Sequence, residues 1–217
     1  MKNIIVLSRS SFLAKIQTRI AIEKIGKIFE GKVLGKFSES IGDVDKTPNA
    51  WQKHGFGIFT NSLTKELINK KVDIVIHSFK DLPVKNSSKT SFVCIERDDP
   101  RDVILIKKTS LKKKKLVIAT SSPRRKYYLR LLKDYLPFQS FKATTIRGNI
   151  QTRLKKVLAS NDNDGVFMAK AAIDRVFKYG EKVDKKEFKK FKTSFNKFEK
   201  IILPLSAFPS AAAQGCI

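Results

Sequence analysis

Cysteine is scarce: the 217 residues hold two, Cys94 and Cys216. Two cysteines make neither a disulfide framework nor a metal-ligand cluster, and no metal site is expected. Long apolar runs are also missing. None approaches the roughly 20 residues that a membrane-spanning helix needs. Met1-Lys2-Asn3-Ile4 leads straight into a strand-like segment, without the apolar core and cleavage site of a signal peptide. These absences point to a reducing cytoplasm and to no membrane partner. Internal repeats and low-complexity linkers are absent as well. Acidic residues are few, 20 Asp+Glu against 45 Lys+Arg, which leaves a formal net charge of +25. Arginine is rare within that excess: 10 of the 45 cations are Arg and 35 are Lys.

What is present is enough for a folded core. Hydrophobic residues make up 41%, and apolar runs such as Ile4-Ile5-Val6-Leu7 recur, which excludes intrinsic disorder. The length suits one large or two small domains. Apolar segments of strand type are expected at 3–8, 33–38, 72–76, 91–96, 103–107, 116–119, 138–144, 165–168 and 201–203. Helical spacing is expected over 12–29, 61–69, 122–135, 149–158 and 171–177. Ser122-Pro123 reads as a helix start, with Ser at the N-cap and Pro in the first turn. Residues 41–57 read as a long polar loop. Phe188, Phe191, Phe195 and Phe198 recur at helical spacing within a Lys-rich stretch, 182–198. That stretch reads as one amphipathic helix docked by its phenyl face, with a membrane-surface or nucleic-acid helix as the alternative. Cys94 alternates within an apolar strand and is expected in the core. Alternating strands and helices predict an α/β fold with mixed, mainly parallel sheets in two lobes around a cleft.

The polar residues gather in four places, each just after an apolar strand. Arg9-Ser10-Ser11 follows the first strand. His77-Ser78-Phe79-Lys80-Asp81-Leu82-Pro83 follows Ile74 to Ile76. Thr120-Ser121-Ser122-Pro123-Arg124-Arg125 follows Leu116 to Ala119, and Arg147-Gly148-Asn149 follows the strand ending near Thr144. In open parallel sheets the crevice beyond the strand carboxyl ends is the binding site, so these clusters are expected to line one cleft. The guanidinium fork binds carboxylate or phosphate bidentately. Arg9, Arg124, Arg125, Arg147 and Arg153, with the helix N-terminus at Ser122, therefore predict a polyanionic ligand. Asp81 is the one carboxylate in the four clusters, placed to stabilise a transient cation or handle protons.

These motifs resemble those of the porphobilinogen deaminase (hydroxymethylbilane synthase) family. The resemblance is carried by Ile76-His77-Ser78-Phe79-Lys80-Asp81-Leu82-Pro83, Thr120-Ser121-Ser122-Pro123-Arg124-Arg125, and Ile146-Arg147-Gly148-Asn149 with Thr152-Arg153-Leu154. Arg97-Asp98-Asp99-Pro100-Arg101-Asp102 and Gln214-Gly215 extend it over essentially the whole chain. The resemblance implies two α/β domains like those of type II periplasmic binding proteins, followed by a small α+β third domain. Domain 1 would comprise 1–99 plus 200–217, and domain 2 would comprise 100–199. It implies head-to-tail condensation of porphobilinogen into the linear tetrapyrrole hydroxymethylbilane with release of ammonia. The tetrapyrrole would grow from a covalent dipyrromethane cofactor. Asp81 would be the catalytic carboxylate. Ser78, Lys80, Thr120, Ser122, Arg124, Arg125 and Gly148 would bind the cofactor. Arg9, Ser11, Arg147, Arg153 and Arg175 would bind substrate. The anchoring cysteine is expected in the third domain and not at Cys216, which reads as a buried free thiol. The sequence stops before that domain, so the 217 residues alone are expected to be inactive. A monomer is implied.

Two departures stand out. Phe56 replaces a lysine usual in the family's loop before the second helix, and Ile41 precedes Gly42-Asp43 where Arg is common. Two other functions remain open on the residues alone. One is a non-catalytic two-lobed module for acidic small molecules. The other is nucleic-acid binding driven by net charge, which no aromatic-interleaved or helix-turn-helix motif supports, so no nucleic-acid partner is expected.

Overall fold

The computed structural model describes residues 3–40, 45, 57, 60–84 and 87–217. The apolar run Ile4–Arg9 forms β1, the middle strand of a small sheet. It pairs in parallel with β2 (Val33–Ser38) and β3 (Ile74–Val75), in the order β2-β1-β3. Between β1 and β2 lies α1 (Phe12–Ile25), begun by Ser11, whose hydroxyl accepts a hydrogen bond from the Ala14 amide. Helix α2 (Asn61–Ile68) sets Leu63 against Leu7 and Val72, and so covers part of the sheet.

A larger sheet follows in the order β6-β5-β7-β4-β8. Its strands are β4 (Asp102–Lys107), β5 (Lys115–Ala119), β6 (Ser140–Thr144), β7 (Gly165–Ala169) and β8 (Phe198–Ile202). β5 runs parallel to β6 and β7, whereas β4 is antiparallel to both β7 and β8. Helices α3 (Pro123–Leu131), α4 (Ile150–Ala159), α5 (Lys170–Val183) and α6 (Lys185–Phe195) complete this lobe. β4 is covered on both faces. Side chains alternate along a strand, so Ile104 and Ile106 enter one core with Leu116, Ile118, Leu132 and Phe167. Val103 and Leu105 enter the other, with Val166, Ile173, Val176 and Phe191. Phe12, Ile16 and Ile20 of α1 belong to that second core. The two sheets are therefore joined by a shared apolar contact between α1 and the larger lobe. The α/β class with mixed, mainly parallel sheets is what the chain adopts.

Three expectations need correction or refinement. Residues 91–96 form no strand: the segment is extended but joins no ladder, and the Ile95 amide donates to the Ile217 carbonyl. Apolar alternation is not sufficient where no neighbouring strand supplies a partner. Cys94, expected in the core, is exposed, with its thiol directed to the Ile95 carbonyl. The 182–198 stretch is not one helix. α5 continues to Val183, and Asp184 leaves helical geometry at φ −158° and caps α6 through the Glu187 amide. Phe198 then passes into β8. The phenyl face is nonetheless docked. Phe177 meets Phe188, Phe191 and Phe195 edge to face at 6.2, 5.6 and 5.0 Å.

The division expected at 199/200 falls inside β8, which pairs with β4. Ile41, Phe56 and nearly all of the 41–57 loop lie outside the described residues. Among the described residues no helix is long and apolar enough to cross a membrane.

Candidate functional site

All four polar clusters stand at or just beyond the carboxyl ends of parallel strands. Arg9 closes β1, and His77 to Asp81 follow β3. Thr120 to Arg125 follow β5, and Arg147 to Asn149 follow β6. Phe79–Asp81 is a single 3-10 turn, closed by the Asp81 amide donating to the Ser78 carbonyl at 2.9 Å. The turn is fixed from two sides. Gln17 of α1 donates to the Ser78 hydroxyl at 2.9 Å, and the Phe79 amide donates to the Cys216 carbonyl at 3.2 Å. Cys216 itself is buried.

The loops after β5 and β6 are stapled together. The Ser121 hydroxyl donates to the Ile146 carbonyl at 2.6 Å and accepts from the Ile146 amide at 3.2 Å. Ser122 caps α3 through the Arg125 amide, with Pro123 in the first turn. Buried Thr120 supports that start, its hydroxyl accepting from the Ser122 amide. Asn149 caps α4 through the Thr152 amide and also accepts from the Thr152 hydroxyl, both at 2.9 Å. Gly148 has φ +121°, and a Cβ there would stand 2.7 Å from the Thr152 methyl group. Gly148→Ala should therefore cost about 1–3 kcal/mol, through backbone strain and a displaced Thr152. Urea unfolding of the variant against wild type checks this.

The charges converge across elements. Lys80 is lowered to about 8, first by burial; Asp81 and Asp102 raise it, and Arg125 and Arg153 lower it. The residue is solvent-accessible, and its Nζ donates to the Gln214 Oε1 at 3.4 Å. Arg153 is lowered to about 10 by burial, then by Arg125 and Arg147, while Asp81 raises it. Its Nε donates to the Gly148 carbonyl at 2.8 Å. His77 is pushed down to about 4 by burial and by Arg9, so it is neutral at neutral pH. Its Nε2 is buried with no hydrogen-bond partner among the described residues. Lys80, Asp81, Arg125, Arg147 and Arg153 thus form one electrostatic cluster, with Arg9 beside His77. Burial and like charge both work against the cations at Lys80 and Arg153, so an entering anion is favoured there.

Other expected ligand contacts already hold protein oxygens. Ser11 caps α1. Arg124 and Arg125 both bind Asp102, at 2.5 and 2.8 Å. Arg175 is buried, its Nε on Asp98 at 2.7 Å and its Nη2 on the Gly215 carbonyl at 2.6 Å. Sequence reasoning gave no site role to Asp102 or Gln214. A signal for Asp102 was available: it leads the apolar run Val103–Ile106, and a carboxylate in a buried strand requires partners.

The profile of the family described as "Porphobilinogen deaminase, dipyromethane cofactor binding domain" matches residues 4–217. The chain belongs to the porphobilinogen deaminase family. The porphobilinogen deaminase of Caldicellulosiruptor saccharolyticus is 35% identical over 181 residues, covering 81% of this chain and 60% of that protein. The probable porphobilinogen deaminase of Picrophilus torridus is 38% identical over 174 residues, covering 78% and 58%. That of Bacillus subtilis is 36% identical over 185 residues, covering 81% and 56%. The chain therefore spans at most 60% of the length of these curated relatives. Among solved structures, substrate-binding domain 2 of Lactococcus lactis GlnP in its open conformation aligns with a TM-score of 0.48 and 10% identity, over 90% of this chain and 89% of that one. All four polar clusters lie inside the span matched to the porphobilinogen deaminase domain.

Proposed function

We propose that the protein containing this chain is a hydroxymethylbilane synthase. It would condense porphobilinogen head to tail into hydroxymethylbilane, releasing ammonia at each step, in tetrapyrrole biosynthesis. Membership of the family supports this reading, and one observation carries it at the site. Asp81 acts on both Lys80 and Arg153, cations from the two lobes, and these in turn lie within reach of Arg125 and Arg147. Porphobilinogen carries acetate and propionate groups, which suit such a surround. A pyrrole losing ammonia becomes cationic and suits a nearby carboxylate.

In this reading Asp81 is the catalytic carboxylate. It stabilises the cation that develops as the substrate's carbon–nitrogen bond breaks, and it orients the pyrrole N–H. Arg9, Arg147 and Arg153 bind substrate carboxylates, with Ser11 and Arg175 shaping the pocket from α1 and α5. The donor set also fits dipyrromethane, whose acidic side chains would be held by Ser78, Lys80, Thr120, Ser122, Arg124, Arg125 and the backbone at Gly148. When bound, dipyrromethane supplies the primer from which the tetrapyrrole grows. Residues 1–99 with 200–217 would act as one lobe and 100–199 as the other, in a cytoplasmic monomer.

The test uses the gene-encoded protein. It should carry the mass increment of a dipyrromethane and release ammonia from porphobilinogen while forming a linear tetrapyrrole. Porphobilinogen binding with neither the increment nor ammonia release would instead mark a non-catalytic binding module.

A further inference from the structure

Asp102 is 0% exposed and Gln214 is 1% exposed, yet both carry polar groups into the centre of the cation cluster. The Asp102 carboxylate accepts from Arg124 Nη1 at 2.5 Å, from Arg125 Nη2 at 2.8 Å and Nε at 3.2 Å, and from Gln214 Nε2 at 2.9 Å. Burial works against its charge, but Arg125, Arg124 and Gln214 outweigh that and hold the carboxyl below its ordinary range. Gln214 faces the other way too: its Oε1 accepts from Lys80 Nζ at 3.4 Å. Its Nε2 also donates to the Pro100 carbonyl at 2.6 Å, which fixes the amide.

The arrangement exceeds what a simple counter-ion requires. Successive residues on a helix point about 100° apart. Arg124 and Arg125 are successive, yet both turn to one carboxylate at the start of β4. Each guanidinium has five N–H donors. Arg124 also interacts with the Tyr128 hydroxyl, and each guanidinium keeps N–H donors beyond those given to Asp102. We propose that Asp102 is a positioning residue of the anion site: it holds Arg124 and Arg125 as one donor pair and, through Gln214, sets Lys80 beside Asp81. This rests on the function proposed above for that site.

A counter-ion and a positioning residue predict opposite results. Asp102→Asn keeps the shape and makes the cluster more positive by one charge. A mere counter-ion, once removed, would tighten binding of a polyanion. A positioning residue, once removed, weakens binding despite the added positive charge. In the gene-encoded protein, Asp102→Asn should raise the porphobilinogen concentration for half-maximal consumption by about 10-fold or more, the scale of charge-assisted hydrogen bonds.

The second readout needs no substrate. The pH midpoint of Lys80 acylation by acetic anhydride, read by mass spectrometry, should fall in Asp102→Asn, because the lost carboxylate supported the Lys80 cation. The other charges on Lys80, namely Asp81, Arg125 and Arg153, are unchanged by the substitution. If Asp102→Asn does not fold, Gln214→Met carries the test. It removes the link between Asp102 and Lys80 and should raise the half-maximal concentration several-fold. An unchanged or lowered half-maximal concentration overturns the proposal, as does an unmoved Lys80 midpoint. If the wild type consumes no porphobilinogen, the proposed function fails, and the Lys80 midpoint in Gln214→Met, which keeps the Asp102 charge and removes only its link to Lys80, decides the role of Asp102.

Discussion

Asp81→Asn should lower kcat for ammonia release from porphobilinogen by about 10²- to 10⁴-fold, the range expected when a charged group acting on the reacting centre is lost. The substitution is nearly isosteric and leaves the 3-10 turn intact, because that turn is closed by backbone and by contacts to Gln17 and Cys216. Asn keeps a hydrogen-bond acceptor for a pyrrole N–H but brings no charge to the departing-ammonia step. The loss should appear in kcat more than in KM, because substrate carboxylates are assigned to the arginines and not to Asp81. Single-turnover ammonia release by rapid quench separates the two. A fall confined to KM would remove Asp81 from the chemistry.

The largest expected effect on stability lies far from that turn. Asp164 is 2% exposed and ties three segments together. Its carboxylate accepts from the Ser110 hydroxyl at 2.8 Å, Lys113 Nζ at 2.7 Å and the Val117 amide at 2.9 Å. Asp164→Ala leaves the part-buried Val117 amide and the buried Ser110 hydroxyl without their acceptor and should cost about 2–4 kcal/mol. That is a large share of the 5–15 kcal/mol typical of a folded chain. Burial opposes the charge of Asp164, but Lys113, Val117 and Ser110 prevail and hold its carboxyl below the ordinary value. Its contribution is thus fully present above the unfolded carboxyl's pKa, about 3.9, and is lost as pH falls through the lower folded value. Urea unfolding at pH 7 and pH 3 should show a smaller acid loss in Asp164→Ala than in wild type. Equal losses would show that Asp164 does not carry this linkage.

The parts of the fold legible in the sequence were those fixed by local chemistry. Ser122-Pro123 announced α3, the apolar runs announced β1, β4, β5 and β7, and the polar clusters marked the strand ends. What local pattern could not supply was the choice of partner. Residues 91–96 have the composition of a strand but no neighbour to ladder with, so Cys94 is exposed. Asp184 breaks a continuous helical pattern with a capping interaction that phenylalanine spacing does not reveal. In the site, residue types predicted a polyanion surround, and the convergence of Lys80, Arg125, Arg147 and Arg153 supports it. The commitments of Arg124 and Arg125 to Asp102, and of Arg175 to Asp98, were not legible. They depend on contacts such as that between Arg175 and Asp98, which are 77 residues apart in the chain.

The segment near Gln214 also governs when the Phe79–Asp81 turn is anchored. The Phe79, Ile95 and Asp98 amides receive their acceptors from Cys216, Ile217 and Gly215. Lys80 meets Gln214 across 134 residues of chain. During synthesis, the Phe79–Asp81 turn therefore waits without these partners until residues 214–217 leave the ribosome. Contacts of such separation form late and slowly. Fixing of the turn that carries Asp81 is thus paced by long-range closure rather than by its own local sequence.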